Sequence, residues 1–509
     1  YYAKKNHNAA RRYYFGNELL INSIGYLLLY LFVTYQIILK HTVVLYNPDA
    51  VFYTMPLALI AIASYLDPAI YNVVIIDGRI DANPIKKIEE ALSDNGLCFA
   101  TSVLTGSPIK DALKVSEAVK YKFPQIPVVW GGWHPSLFPK QTLENENIDI
   151  VVKGQGEVTF ANLLEKIITG KNRNGVNGIC YKENGIYIEN PERAMDDINR
   201  FPPFNYDLID VKSYMNLSGR KQLDYISSQG CRFRCSFCAD PFMYNRGWFA
   251  YSPKRVVDEI ESLWLKYRFS HVHFQDETFF TNSKRVKAIA EEFIKRQLPI
   301  TWFGTMRADQ GVRLGDDVWQ LCKESGLERV MIGMEAGTQE MLDWMQKDIK
   351  LEHIYDAAKQ CVKYDISINF SIIVGFPGET EESISETLNV VKKLRKMSSN
   401  FNMSIFYYKP YPGNKIADEL LANGYQFNST LEDWSNFDYV GTKKSEWISE
   451  EKIKEIENFK YYQNLAYNKR TPIKFLFQEF AKWRIENKAY KFPIERKLKE
   501  LLNPTQKMS

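Results

Sequence analysis

Eleven short apolar runs recur along this 509-residue chain, and helical periodicity fills most of the intervals between them. That alternation constrains the fold more than any other feature. The runs are too uniformly apolar for a sheet wetted on one face, so they predict parallel strands covered by helices on both sides. They fall into two series, and the length by itself calls for two or three domains.

The first series holds "VVLYN" (43–47), "VVIID" (73–77), "CFATSV" (98–103), "PVVWGG" (127–132) and "DIVVKG" (149–154). Five such units predict a doubly wound α/β domain over 42–170, whose ligands sit at the carboxyl ends of the strands. Those ends carry glycines: "TGS" (105–107), "GGWHPS" (131–136) and "KGQGE" (153–157). One such loop is an ordinary tight turn. Three on one edge of a sheet predict a cofactor site, because glycine lets backbone approach a ligand closely.

Residues 171–220 read as a Pro-broken linker around "NRFPPFNYDL". The second series then covers 221–440, with strands at "DYISSQ" (224–229), "HVHFQ" (271–275), "ITWFGTM" (300–306), "RVMIGME" (329–335), "INFSIIVG" (368–375) and "MSIFYY" (403–408). Between the first two, Val256, Val257, Ile260, Leu263 and Trp264 line one face of a helix over 253–267, with Ser252 as its cap and Pro253 in its first turn. Six β-α units predict a partial α/β barrel with its chemistry at the strands' carboxyl ends.

The cysteines are clustered. Three of the seven, Cys231, Cys235 and Cys238, lie in "GCRFRCSFCAD", and the others are scattered. A disulfide framework spreads cysteines in pairs through a small secreted domain, so this pattern favours a reducing cytoplasm and a metal. Three thiolates after a strand suit an iron–sulfur cluster, or zinc with a remote fourth ligand.

CxxxCxxC with Phe237 before its last cysteine, after the first strand of a partial barrel, resembles the radical S-adenosylmethionine (SAM) superfamily. The resemblance implies a 4Fe–4S cluster on Cys231, Cys235 and Cys238, whose unligated iron binds SAM and whose reduction yields a 5′-deoxyadenosyl radical. It implies an external one-electron donor of flavodoxin or ferredoxin type. In barrel order it assigns SAM contacts to Phe237, to Asp276 or Glu277 for the ammonium, to Arg307, to Glu335 for ribose and to Gly375 for adenine. "FQDE" departs from the commoner GGE, which leaves open which carboxylate takes the ammonium.

With "GGWHPSLFP" and "VVKGQGEVTF" upstream, the chain is similar to radical SAM enzymes with a cobalamin-binding domain, over about residues 42–440. This implies a flavodoxin-like first domain with Thr105, Gly106, Gly131, Gly132, Trp133, His134, Gly154, Gly156 and Glu157 lining cobalamin. The DxHxxG motif of other corrinoid proteins is missing, and His134 reads as a loop residue rather than a cobalt ligand. Cobalamin bound base-off, with no histidine ligand, is expected. The family's reactions are methylation of an unactivated centre in a small molecule or peptide, and oxidative cyclisation like that of the anaerobic Mg-protoporphyrin ester cyclase. The catalytic residues are left unassigned.

A net charge of +4 is a weak signal for nucleic acid, which counts against tRNA modification. Residues 1–41 form an extension in which 19–39 is an uncharged run of spanning length, preceded by Lys4, Lys5, Arg11 and Arg12. A strand follows it after only Lys40 and His41, so a membrane anchor, an upstream extension and a docked helix all stay open. The tail, 441–509, reads as helical, basic and aromatic.

Overall fold

The computed structural model describes residues 40–51, 53–438, 440, 445–467, 475–491 and 493. The expectation for 19–39 falls outside them. Among the described residues no helix is long and apolar enough to cross a membrane.

The first sheet contains β1 (His41–Asn47), β2 (Tyr71–Asp77), β3 (Gly96–Ser102), β4 (Val128–Gly131), β5 (Ile150–Val152), β6 (Ile179–Glu183) and β7 (Ile186–Glu189). Its order is β2-β1-β3-β4-β5-β6-β7. The first five strands are parallel, and their 2-1-3-4-5 order is the flavodoxin-like one. Successive residues of β1 serve opposite cores. Val44 and Tyr46 join Ile88, Val115 and Trp130 on one face, while Val43 and Leu45 join Leu59, Leu163 and Leu164 on the other.

The stretch after residue 170 is more ordered than expected of a linker. β6 and β7 extend the sheet antiparallel, joined at Asn184 and Gly185, both with positive φ. Asp210 then caps a helix, Val211–Ser218, through the amides of Lys212 and Ser213.

The second domain holds β8 (Gln222–Tyr225), β9 (Ser228–Gly230), β10 (Trp248–Ala250), β11 (His271–Phe274), β12 (Thr301–Met306), β13 (Leu327–Glu335), β14 (Ser367–Val374) and β15 (Phe401–Tyr407). Six of them form a parallel sheet in sequence order, β8-β11-β12-β13-β14-β15, with no pairing between β8 and β15. The strand expected over 224–229 is broken. β8 ends at Tyr225, and β9 instead pairs antiparallel with β10, lifting the cysteine loop off the barrel sheet.

The domains interlock. Tyr214 donates to Asp77 (2.6 Å), Met55 donates its amide to Asp224 (2.9 Å), and Gln155 donates to Gln229 (2.8 Å). Leu431 and Trp434, which the sequence places with the second domain, are buried in a core of the first. Helices Glu450–Tyr467 and Phe475–Glu486 close the carboxyl end against helix Glu381–Met397.

Candidate active site between the two domains

The cysteine loop runs directly out of β9, and the amide of Gly230 donates to Glu277 Oε2 at 3.1 Å. Its middle is pinned by backbone: Ser236 donates to Met345 O (2.8 Å), and Ile416 donates to Ser236 O (3.1 Å). Burial pushes the Cys231 thiol up to about 12, and it drives Cys238 further up. Each of these thiols also feels the charge of Cys235, so the three lie within electrostatic reach of one another. Among the described residues no three His, Cys, Asp or Glu side chains form a site for a single ion. A cluster makes a different demand, since each thiolate takes a separate iron. The all-sulfur donor set fits a cluster, with the Asp240 carboxylate beside Cys238.

The strand ends face this loop, in unequal ways. Arg307 extends its guanidinium over the Phe233 ring (3.8 Å) and donates Nη1–H to Cys235 Sγ at 3.4 Å. Its other donors are taken by Asp309 and the carbonyl of Lys347. Phe237 packs edge-on to Phe376, with Lys347 Nζ 5.8 Å from its ring. Glu335 ends β13 in a left-handed conformation (φ +59°), and its carboxylate receives Lys347 Nζ at 2.9 Å.

Asp276 does not face a ligand. It is buried and accepts the Ser227 amide and both the Ser227 and Ser228 hydroxyls, with Arg285 close enough to oppose the rise that burial causes in its pKa. This carboxylate turns the chain between β8 and β9. Glu277 is the one of the pair that lines the interdomain cavity. Burial, with Asp240 nearby, raises it to about 8, and Tyr244 donates to it. Gly375 lies outside the lining of that cavity. Its amide donates to Glu379, its carbonyl accepts from Ser445, and a side chain there would collide with Ile448 at 2.3 Å.

A cavity of about 320 Å3 separates the domains. Its first-domain wall is Leu57, Ala58, Ile62 and the loop residues Gly131, Gly132, Trp133, Gly154, Gly156 and Glu157. Gln229, Tyr244, Tyr251, Gln275 and Glu277 form the opposite wall. An added Cβ would meet nothing nearer than 3.6 Å at Gly131 and nothing within 4 Å at Gly154, so bare backbone faces the space. Such edges, in a mostly apolar chamber, fit a flat macrocycle. Burial raises Glu157 to about 7.

Thr105, Gly106 and His134 do not line this cavity. His134 is fully buried between Phe138 and Trp434, with Nδ1 3.2 Å from Thr105 Oγ1, and burial lowers it to about 3. Thr105 in turn meets Tyr411 at 2.9 Å. The two residues join the first domain to the carboxyl-terminal half of the chain. Among the described residues that line the cavity there is no histidine.

Gln229, Tyr244, Gln275 and Lys347 were not foreseen. Gln229 lies in β9, Tyr244 follows the cysteine loop, and Gln275 stands in "FQDE" just before the two carboxylates that drew attention there. Lys347 carried a weak signal as a lysine next to the turn that follows "GMEAG".

The model of the B12 binding domain matches residues 45–164, and that of the radical SAM superfamily matches residues 225–391. The chain is 29% identical over 387 residues to an uncharacterized methyltransferase of Pyrococcus horikoshii, covering 76% of this chain and 82% of that one. It is 28% identical over 367 residues to the anaerobic magnesium-protoporphyrin IX monomethyl ester cyclase of Rubrivivax gelatinosus, spanning 70% of this chain and 65% of that longer protein. In fold it is similar to the cobalamin-dependent SAM radical enzyme OxsB with aqua-cobalamin and SAM bound, at a TM-score of 0.69 and 18% identity. That likeness covers 90% of this chain and 72% of the other. The two-domain α/β fold and the two domain matches are those of a radical SAM enzyme. Within that class, the chain belongs to the members that carry a B12-binding domain.

Proposed function

We propose that this enzyme is a cobalamin-dependent radical SAM methyltransferase acting on an unactivated centre of a small molecule or peptide. One observation carries the reading. The bare glycine edges of the first domain and Glu277 beside the cysteine loop wall the same cavity, so two cofactors and a substrate would share one enclosure.

Cys231, Cys235 and Cys238 would hold a 4Fe–4S cluster with SAM beside it. When bound, the cluster would supply the electron for reductive cleavage of SAM, and cobalamin would carry the methyl group. Glu277 receives the SAM ammonium, since it is the strand-end carboxylate that reaches both the loop and the cavity. Arg307 holds Cys235 in place and sets positive charge beside the sulfur. Phe237 and Lys347 form the floor under Glu335, which stays oriented toward the ribose. Gly131 and Gly154 admit the corrin to close range, Gly132 and Gly156 let their loops pack on Ser102, Val103 and Ile62, and Leu57 and Ile62 exclude water. The reading has cobalamin bound base-off, without a histidine ligand. The electron comes from a flavodoxin- or ferredoxin-type donor.

The test is anaerobic reconstitution with iron, sulfide and cobalamin, followed by SAM, a reductant and an untargeted product screen. The reading expects 5′-deoxyadenosine, S-adenosylhomocysteine and a product heavier by one methyl group. Deoxyadenosine without methyl transfer would overturn methylation and favour oxidative cyclisation, the reaction named for the Rubrivivax relative.

A further inference from the structure

The helix Phe475–Glu486 is built inside out. Its inward side carries Gln478, Ala481, Arg484 and Ile485, all buried where it packs on helix Glu450–Tyr467. Leu476, Phe477, Phe480 and Trp483 occupy the outward side, with exposures of 78%, 66%, 41% and 53%. Their spacing keeps them on one face over two turns, and the Phe480 and Trp483 rings stack at 5.9 Å. A surface helix of a globular protein turns its apolar stripe to the core. A contiguous exposed stripe containing two stacked aromatic rings is instead an interaction surface.

Charge indicates what the surface meets. Residues 469–509 hold eleven Lys and Arg against four Asp and Glu, whereas the whole chain carries only +4. The positive charge is therefore concentrated in the segment that contains the stripe. Within the described part, Lys488 and Lys491 follow the helix, and Lys392 and Lys396 pair with Glu486 at its carboxyl end. Aromatic and leucyl side chains over basic flanks are the composition of a helix lying in a bilayer interface.

We propose that this face seats the enzyme on an anionic phospholipid surface. Leu476, Phe477, Phe480 and Trp483 enter the boundary between headgroups and acyl chains, and the flanking Lys and Arg meet lipid phosphates. A polynucleotide would satisfy the charge but would leave Leu476 and its neighbours in water.

The test is co-sedimentation of the full chain with vesicles of phosphatidylcholine alone and of phosphatidylcholine with phosphatidylglycerol. The wild type is expected to partition onto the anionic vesicles at low salt, and about tenfold less onto the neutral ones or at high salt. The pair Phe477→Ser and Trp483→Ser, at exposed positions that leave the fold and its thermal midpoint unchanged, should lower partitioning by about tenfold. Equal sedimentation of this variant and the wild type would assign binding to another segment and overturn the proposal. So would failure of the wild type to bind, release of the wild type by single-stranded RNA, or a wild-type dimer that the variant makes monomeric.

Discussion

Arg307 Nη1 lies 3.4 Å from Cys235 Sγ, so the residue that ends the third barrel strand reaches directly into the cysteine loop. A guanidinium at this distance sets a positive charge and a charge-assisted hydrogen bond beside a sulfur of the cysteine loop. Arg307→Met should keep the iron content of reconstituted protein close to wild type while slowing SAM cleavage by about ten- to a hundredfold, the loss expected for one charge-assisted contact. Arg307→Lys should fall between the two, because an ammonium keeps the charge without the fork. Iron assays with timed deoxyadenosine measurements decide it.

Glu277 and Glu157 set a pH dependence. Both are raised in the folded protein, to about 8 and about 7, from an ordinary 4.5, mainly by burial. Below about 4.5 folded and unfolded chains hold these protons alike, and the contribution is fully present. As pH rises toward 8 the unfolded chain releases them and the folded chain keeps them, so stability falls. His134, lowered to about 3, has the opposite slope below its ordinary 6.5, so the informative comparison is between variants. Glu277→Gln should flatten the decline in urea midpoint between pH 6 and 8.5, settled by paired denaturation curves of wild type and variant at about these pH values. In the wild type, SAM binding should release a proton, visible in titrations run in buffers of different ionisation enthalpy.

His134 makes its hydrogen bond to Thr105, and Nε2 is buried without a partner. His134→Leu should therefore cost only about 1 kcal/mol, the worth of one neutral hydrogen bond. The visible absorption spectrum of corrinoid on the variant should match that on the wild type. A changed spectrum would place this imidazole on cobalt.

Gly375 combines a φ of +83° with a contact that leaves no room for a methyl group against Ile448. Gly375→Ala should lower stability by about 2 kcal/mol, through backbone strain and displacement of Ile448. Limited proteolysis should then cut near residues 445–449 faster than in the wild type.

Much of the fold was readable because strand and helix periods differ. "VVLYN" and "INFSIIVG" lie within a residue or two of the observed strands, and Ser252 caps its helix through Arg255 as its position foretells. The β6–β7 hairpin went unseen although Asn184-Gly185 is a strong hairpin signal, since the Pro-rich stretch beyond it dominated the reading. Side-chain direction was not readable. Asp276 and Glu277 are adjacent in sequence, yet only the backbone break after Tyr225 decides which one turns inward and which faces the cavity. His134 looks exposed among glycines until Trp434, three hundred residues later, covers it.

The cavity walls also carry a consequence for synthesis. Leu57, Ile62 and the glycine loops are complete once synthesis has passed about residue 170, but Gln229, Tyr244, Tyr251, Gln275 and Glu277 come later. Until they emerge from the ribosome, the nascent first domain presents an open apolar basin with nothing to shut it. Those seconds are when a bulky macrocycle can enter without prising two domains apart, and when an empty chain is most exposed to aggregation. Corrinoid supply during growth should therefore govern how much soluble protein a cell yields.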